Sequence, residues 1–286
     1  MNIALIGYGK MGRLLEERAL EQGHRIVAVV EPFARGTAAS GAPVGKSIPE
    51  MEALAGPGGG ADVAGGADVA GNVMADAAFE FTRPDEAAGH ILALAERRIP
   101  VVAGTTGWLS RLEEVSRAVE RAGSSLLWAP NFSLGVNLFY RIAAYAAKIA
   151  DPFADYDVGG WEAHHKGKAD SPSGTARTLV EGVLAAMSRK KYARYESLEG
   201  APPPEMIHFP SLRVGSMPGR HTLFLDSPAD TIEITHTARS REGFAAGALR
   251  AAEWLLNCSG PGGEAGKPRP GVFTMDDVLA DILGKE

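Results

Sequence analysis

The sequence holds a single cysteine, Cys258, in 286 residues, which excludes an intrachain disulfide and any metal site built from several thiolates. Cys258 follows an Ala/Leu-rich helical stretch and is expected in the core. No apolar run reaches the ~18 residues of a membrane span, and no secretory apolar segment precedes Gly7. Positive charge is not in excess. A net charge of −6 disfavours nucleic acid and anionic membrane as main partners. The HExxH metal signature is also missing. These absences leave a cytoplasmic protein in a reducing compartment, with no metal, no nucleic acid and no membrane. Its 45% hydrophobic and 22% charged residues are globular values, and its length suits two domains.

What is present begins at once. Gly7-Tyr8-Gly9-Lys10-Met11-Gly12 follows the apolar run Asn2-Ile3-Ala4-Leu5-Ile6. A strand, a glycine turn and a helix start in that order make a dinucleotide site. Gly7 permits the tight turn, Gly9 lets backbone approach a pyrophosphate, and Gly12 lets helix and strand pack closely. Arg25 to Glu31 reads as a second buried strand, ending on an acid 19 residues after Gly12, where a ribose-binding acid belongs.

Strand and helix patterns alternate through residue 130, which predicts a Rossmann-like, doubly wound parallel sheet. Strands are expected at 78–81, 100–103 and 124–129, and helices from Met11, over 84–97 and over 109–122. The strand ends carry Gly- or Pro-bearing loops, Gly104-Thr105-Thr106-Gly107 and Pro130-Asn131-Phe132-Ser133, where such sheets bind ligands. The hexapeptide GGADVA, repeated at 59–64 and 65–70, reads as a surface loop.

The second half changes character. Val136, Phe139, Ile142, Ala143, Ala146 and Ile149 predict a connecting helix. Three strand patterns, 206–214, 221–225 and 231–237, predict an α+β domain with a mainly antiparallel or mixed sheet. Helices at 244–257 and 274–283 flank a second Gly/Pro-rich loop, 259–271, and this tail is expected to pack on the first domain. The expected division is 1–130 completed by 242–286, with 131–241 as the second domain.

The stretch from Glu162 to Ala176 carries the chemistry. Ser173-Gly174-Thr175 precedes an amphipathic helix through Met187, so free N–H groups, the dipole and the Thr175 hydroxyl make an anion site. His164, His165, Lys166 and Lys168 lie upstream, on what reads as a loop able to fold over it. That arrangement suits a carboxylate-bearing substrate next to a protonatable centre. Metal ligation by the two histidines is the weaker reading, because neighbours on an extended chain point apart.

From Glu162 to Ala176 the chain follows the pattern E-x-H-H-x-x-K-x-D-x-P-S-G-T-A and resembles the dihydrodipicolinate reductase family. The likeness also covers the GxGxxG turn, residues 104–107, 131–137, 213–215, 219–222, 234–236, 240–241 and 271–279. It implies an NADH- or NADPH-dependent oxidoreductase acting on a cyclic dicarboxylate in lysine and diaminopimelate biosynthesis. It also implies a homotetramer assembled through the second domain's sheet. His164 then becomes the general acid and Lys168 its proton-donating or charge-stabilising partner. His165, Lys168, Ser173, Gly174 and Thr175 hold the substrate. Gly7, Gly9, Lys10, Met11, Gly12, Glu31, Arg35, Phe81, Gly104, Thr106, Ala129, Asn131 and Phe132 serve the cofactor.

Two residues depart from the family pattern: Ser171 where alanine is usual, and Glu80 where aspartate is common. Glu31 accepts from a ribose and repels a 2′-phosphate, while Arg35 could compensate. Both cofactors are therefore expected, with NADH at least as good. The Lys168 charge should lower the pKa of free His164, and a bound dianion should raise it. A semialdehyde or homoserine dehydrogenase lacks support here, since no mid-chain cysteine exists and the HHxxK…PSGT run is foreign to the latter. A nucleotide sensor without chemistry would need neither His164 nor Lys168.

Overall fold

The computed structural model describes residues 1–33, 37–51, 73–257 and 268–284. Arg35, Cys258, the GGADVA tandem and 259–267 lie outside the described residues. The elements run β1 (Asn2–Ile6), α1 (Lys10–Glu21), β2 (Arg25–Val30), β3 (Val44–Gly45), β4 (Ala77–Glu80), α2 (Pro84–Glu96), β5 (Val101–Ala103), α3 (Leu112–Ala122) and β6 (Ser125–Trp128). They continue as α4 (Leu134–Ala150), β7 (Asp157–His164), α5 (Gly174–Ala186), β8 (Tyr192–Arg194), β9 (Met206–His208), β10 (Ser211–Arg213), β11 (Arg220–Asp226) and β12 (Thr231–Thr237). Last come α6 (Glu242–Leu256), β13 (Gly271–Phe273) and α7 (Met275–Leu283). Two units result: Met1–Phe132 with Phe244–Glu286, and Ser133–Gly243.

The first unit is built on a seven-stranded sheet ordered β13-β6-β5-β4-β1-β2-β3, parallel throughout. It is the doubly wound Rossmann-like sheet expected from the alternating pattern. The order reverses between β1 and β4, which puts the switch-point crevice at the carboxyl ends of those two strands. The strands are near-continuous apolar runs because both faces are covered. Ile6, Val30, Ile91, Leu94, Val115 and Leu126 belong to one buried cluster. Pro84 opens α2 with Asp85 and Glu86 in its first turn, where fixed φ and acidic charge both favour a helix start. The C-terminal tail belongs to this unit: β13 extends the sheet beside β6. Thr274 caps α7 in a reciprocal pair with Asp277.

The second unit holds a mixed sheet ordered β10-β7-β11-β12, in which β10 and β7 are parallel and the other pairs antiparallel. Phe139, Ala143 and Ala147 of α4 and Leu179, Val180 and Val183 of α5 pack in one core with Leu223 and Leu225 of β11.

Two expectations need correction here. The run 206–214 is two strands. β9 pairs with β8 in a separate two-stranded sheet while β10 joins the mixed sheet. Pro210 lies between them and has no N–H to continue a ladder. Second, residues up to His164 are strand, the final residues of β7, where a loop was expected. Gly159-Gly160 hides this strand, because glycine weakens strand propensity. Gly160 is nonetheless required: a Cβ there would overlap the Thr222 carbonyl oxygen and the Phe209 ring. On α4, the connecting helix expected from the spacing, Ile142 and Ile149 are 55% and 54% exposed. With Leu138 and Tyr145 they form a second apolar stripe on α4, on the face away from the core.

Candidate functional site

In the first unit the glycine turn has the geometry its residue types require. Gly7 sits at φ 94°, a region open to glycine, and its N–H donates to the Val30 carbonyl at 2.9 Å. A Cβ on Gly12 would overlap the Gly7 carbonyl oxygen, whereas nothing lies within 4 Å of a Cβ on Gly9. The close packing is therefore at Gly12 and the open approach at Gly9. Lys10 and Met11 begin α1, so the first free N–H groups of that helix adjoin the turn.

Glu31 follows β2 and accepts from Tyr8 N at 3.0 Å and Phe33 N at 3.3 Å, so its carboxylate is fixed beside the turn. The Phe81 and Phe132 rings pack at a tilt of 48° with centroids 6.1 Å apart. Gly104 lies against the Phe81 ring so closely that a Cβ would collide with it. Ala129 and Asn131 are buried, and Thr106 is exposed.

Sequence reasoning gave no role to three residues of this region, Thr105, Tyr8 and Glu16. Thr105, not Thr106, makes the local bond, accepting from Thr82 N at 2.8 Å. Tyr8 donates to the buried Glu16 of α1, and Glu16 also accepts from Ser40 N at 2.9 Å. Glu80 is fully buried, with the Thr82 hydroxyl donating to it. A charged residue on a helix face gives no sequence signal that it will be enclosed.

In the second unit, strand register assembles the site. Glu162 of β7 stands opposite Ser211 of β10 and His221 of β11, and His221 stands opposite His236 of β12. One row across four strands therefore presents four polar side chains to one face. His164, two residues on, shares that face. Glu162 is fully buried. Its Oε1 accepts from Ser173 N at 2.9 Å, Ser211 Oγ at 2.7 Å and Arg213 Nη2 at 3.1 Å. Its Oε2 accepts from the Ser173 hydroxyl and faces His221 Nε2 at 3.3 Å and His164 Nδ1 at 3.4 Å.

Three ligand atoms of Glu162, His164 and His221 lie within 4.8 Å of one another. The carboxylate's existing donors, a guanidinium among them, oppose a cation there.

Ser173, expected on the substrate, has another task. Buried at the Ncap of α5, it accepts from Ala176 N at 3.1 Å and donates to Glu162. That leaves Gly174, which is exposed, and Thr175 as the accessible residues at this helix end. His165 is half-buried, and Lys168 reaches Asp170 at 2.7 Å. Nε2 of His164 lies against Gly219, 3.1 Å from where a Cβ would stand, so glycine keeps that nitrogen clear. Arg213, His221 and Gly219 sat inside recognised stretches without a role. The register of three strands far apart in sequence brings them to His164, and no local pattern encodes that.

Burial pushes Glu162 up, but hydrogen bonds from His221, Ser173 and Ser211 outweigh it and hold the carboxyl well below the usual carboxylate range. Burial drives His164 down to about 4, opposed by Glu162 and assisted by His221, Lys168 and Arg213. The expected lowering is present, with burial and not Lys168 as its chief cause.

Both folded values lie below the unfolded ones, so both groups stabilise the fold at neutral pH. The His164 contribution is lost as pH falls from 6.5 towards about 4, and the Glu162 contribution below 4.5. The thermal midpoint should therefore drop steadily over that window. A midpoint flat from neutral pH down to 4 would contradict these assignments.

Two family models match the chain, described as dihydrodipicolinate reductase, N-terminus, over residues 1–132, and dihydrodipicolinate reductase, C-terminus, over residues 135–279. The chain belongs to the dihydrodipicolinate reductase family. Among its relatives, the 4-hydroxy-tetrahydrodipicolinate reductase of Christiangramia forsetii is 36% identical over 99% of both chains. That of Archaeoglobus fulgidus is 36% identical over 98% of this chain and 100% of its own. In fold, the chain is similar to the dipicolinate-bound dihydrodipicolinate reductase from Paenisporosarcina sp. TG-14, with TM-score 0.71 and 20% identity over 96% of this chain and 97% of that one. Among the described residues, no helix is long and apolar enough to cross a membrane.

Proposed function

We propose that this protein is a cytoplasmic NAD(P)H-dependent 4-hydroxy-tetrahydrodipicolinate reductase of the diaminopimelate route to lysine. In this reading the first unit is the dinucleotide domain and the second the substrate and assembly domain. The observation that carries the reading is a nearly buried histidine, His164, sharing one hydrogen-bonded cluster with the N-terminus of α5. Relatives bearing that activity match over their full length.

The dinucleotide fits the first unit. Open space above Gly9, the α1 N-terminus and the fixed Glu31 carboxylate suit a pyrophosphate and a ribose diol. Lys10, Met11 and Gly12 hold the phosphate end. Phe81, Gly104, Thr106, Ala129, Asn131 and Phe132 form the wall for the nicotinamide. When bound, the nicotinamide supplies the hydride.

In the second unit Gly174 and Thr175 hold one substrate carboxylate at the helix start, and His165 and Lys168 the other. Lys168 first leaves Asp170. His164, neutral in the free protein, is recharged beside the dianion and returns a proton to the ring at Nε2, discharging the negative charge that reduction builds. No step uses a metal. The exposed stripe on α4 and the exposed edge strand β12 support association between copies, which the family resemblance puts at four.

The test follows nicotinamide absorbance while a preceding synthase makes substrate from pyruvate and aspartate semialdehyde. Oxidation that depends on the synthase product supports the reading, and cofactor binding without oxidation sinks it. NADH should serve at least as well as NADPH. Glu31→Ser should shift the ratio of their kcat/KM values towards NADPH by about tenfold, since removing a fixed anion near the 2′ position relieves roughly 1.4 kcal/mol of repulsion. An unchanged ratio would remove Glu31 from cofactor selection.

A further inference from the structure

Four hydrogen bonds and two imidazole nitrogens converge on Glu162: donors from Ser173 twice, Ser211 and Arg213, and the ring nitrogens of His221 and His164. Structural anchoring accounts for the first four. It does not account for His164, whose buried Nδ1 has no hydrogen-bond partner and faces the carboxylate at 3.4 Å. We propose that Glu162 is a positioning residue that keeps the neutral His164 proton on Nδ1, leaving Nε2, beside Gly219, as the atom that takes up and delivers the transferred proton.

The argument is electrostatic. An Nδ1 lone pair facing a carboxylate oxygen is repelled, whereas an Nδ1–H is attracted and tightens to a hydrogen bond as the ring becomes charged. The same contact stabilises the imidazolium while it exists. The groups facing His164 are Glu162 on its own strand, His221 on β11, Arg213 on β10 and Lys168 in the following loop. Only Glu162 among them is negative, so only it favours the charged ring. His221 supports the arrangement by directing Nε2 at the same oxygen, and its Nδ1 is buried without a partner.

Glu162→Gln tests the effect, although it also changes what the Ser173 hydroxyl and His221 meet at Oε2. Ser173 N, Ser211 and Arg213 donate to Oε1 and so fix the amide oxygen there. The amide NH₂ then takes the Oε2 position, turns a donor towards His164 and reverses the tautomer, the fault described for an Asp→Asn change beside a catalytic histidine.

The inference rests on the reductase reading for its catalytic meaning, but its first test needs neither substrate nor cofactor. Nitrogen-15 NMR of the ligand-free protein should find neutral His164 protonated on Nδ1, and on Nε2 in Glu162→Gln. In the assay, Glu162→Gln should lower kcat at least tenfold and move the alkaline limb of its pH profile to lower pH. Ser211→Ala, which removes a donor to the same carboxylate and leaves its charge, should keep limb and tautomer. An Nε2-protonated His164 in the parent protein overturns the inference, and that measurement stands even if the glutamine variant fails to fold. So does a glutamine variant whose tautomer is unchanged, or one no more impaired than Ser211→Ala. A correct tautomer in a protein without reductase activity would count against the function and leave the positioning intact.

Discussion

His164→Ala should lower kcat by about a hundredfold to ten-thousandfold, the range for loss of a general acid, while leaving NADH affinity unchanged. The imidazole is nearly buried, with Nε2 kept clear by Gly219 and Nδ1 facing a carboxylate. No neighbour can replace it. His221 is turned towards Glu162, and the Lys168 ammonium is engaged by Asp170. The affinity clause follows because the residues proposed to bind the nucleotide belong to a different unit. Steady-state kinetics with synthase-generated substrate, beside a fluorescence titration of NADH, checks both halves. A loss below tenfold would remove His164 from proton transfer. A parallel loss of NADH binding would mean that the substitution damages the fold.

Gly12→Ala should weaken cofactor binding by roughly tenfold to a hundredfold, since overpacking of this kind costs ~1–3 kcal/mol. The added methyl would overlap the Gly7 carbonyl oxygen, and backbone cannot step aside as a long side chain does. The turn must open, which moves Gly9 and the first N–H groups of α1 away from the pyrophosphate. Gly9→Ala makes a comparison of opposite kind: its Cβ meets no protein atom within 4 Å, so the free protein should retain its stability and any loss should appear only on ligand binding. Calorimetric titration with NADH and thermal melts of both variants separate the two effects. Equal stability in all three proteins would show that Gly12 is not a packing constraint.

Sequence patterns revealed the parallel sheet readily because its signals are local. Apolar runs, glycine turns and Pro84 at a helix start each fall within a few residues, and a parallel sheet buries both faces of each strand. The mixed sheet was harder to read. Its central strand β7 carries two adjacent glycines, and Pro210 divides one apolar run between two sheets. Half of the candidate site was legible as the run from His164 to Thr175. The other half, Ser211, Arg213, Gly219 and His221, arrives through strand pairing across more than forty residues of chain. Ser173 illustrates the limit: its place before the helix suggested an anion ligand, whereas its side chain is buried as the Ncap of α5 and bonded to Glu162.

The row Ser211, Glu162, His221 and His236 has a consequence for how this domain matures. A slip of β11 by one residue would replace His221 by Arg220 or Thr222 and turn the imidazole to the opposite face. Glu162 would then lose a donor, and His164 would lose the neighbour whose ring centroid lies 5.0 Å away. Such a misaligned chain could keep its helices and much of its apolar core and still carry no functioning proton donor. Activity per folded molecule thus works as a gauge of strand alignment, and a refolding experiment that recovers secondary structure before turnover would be timing the moment at which the four strands come into step.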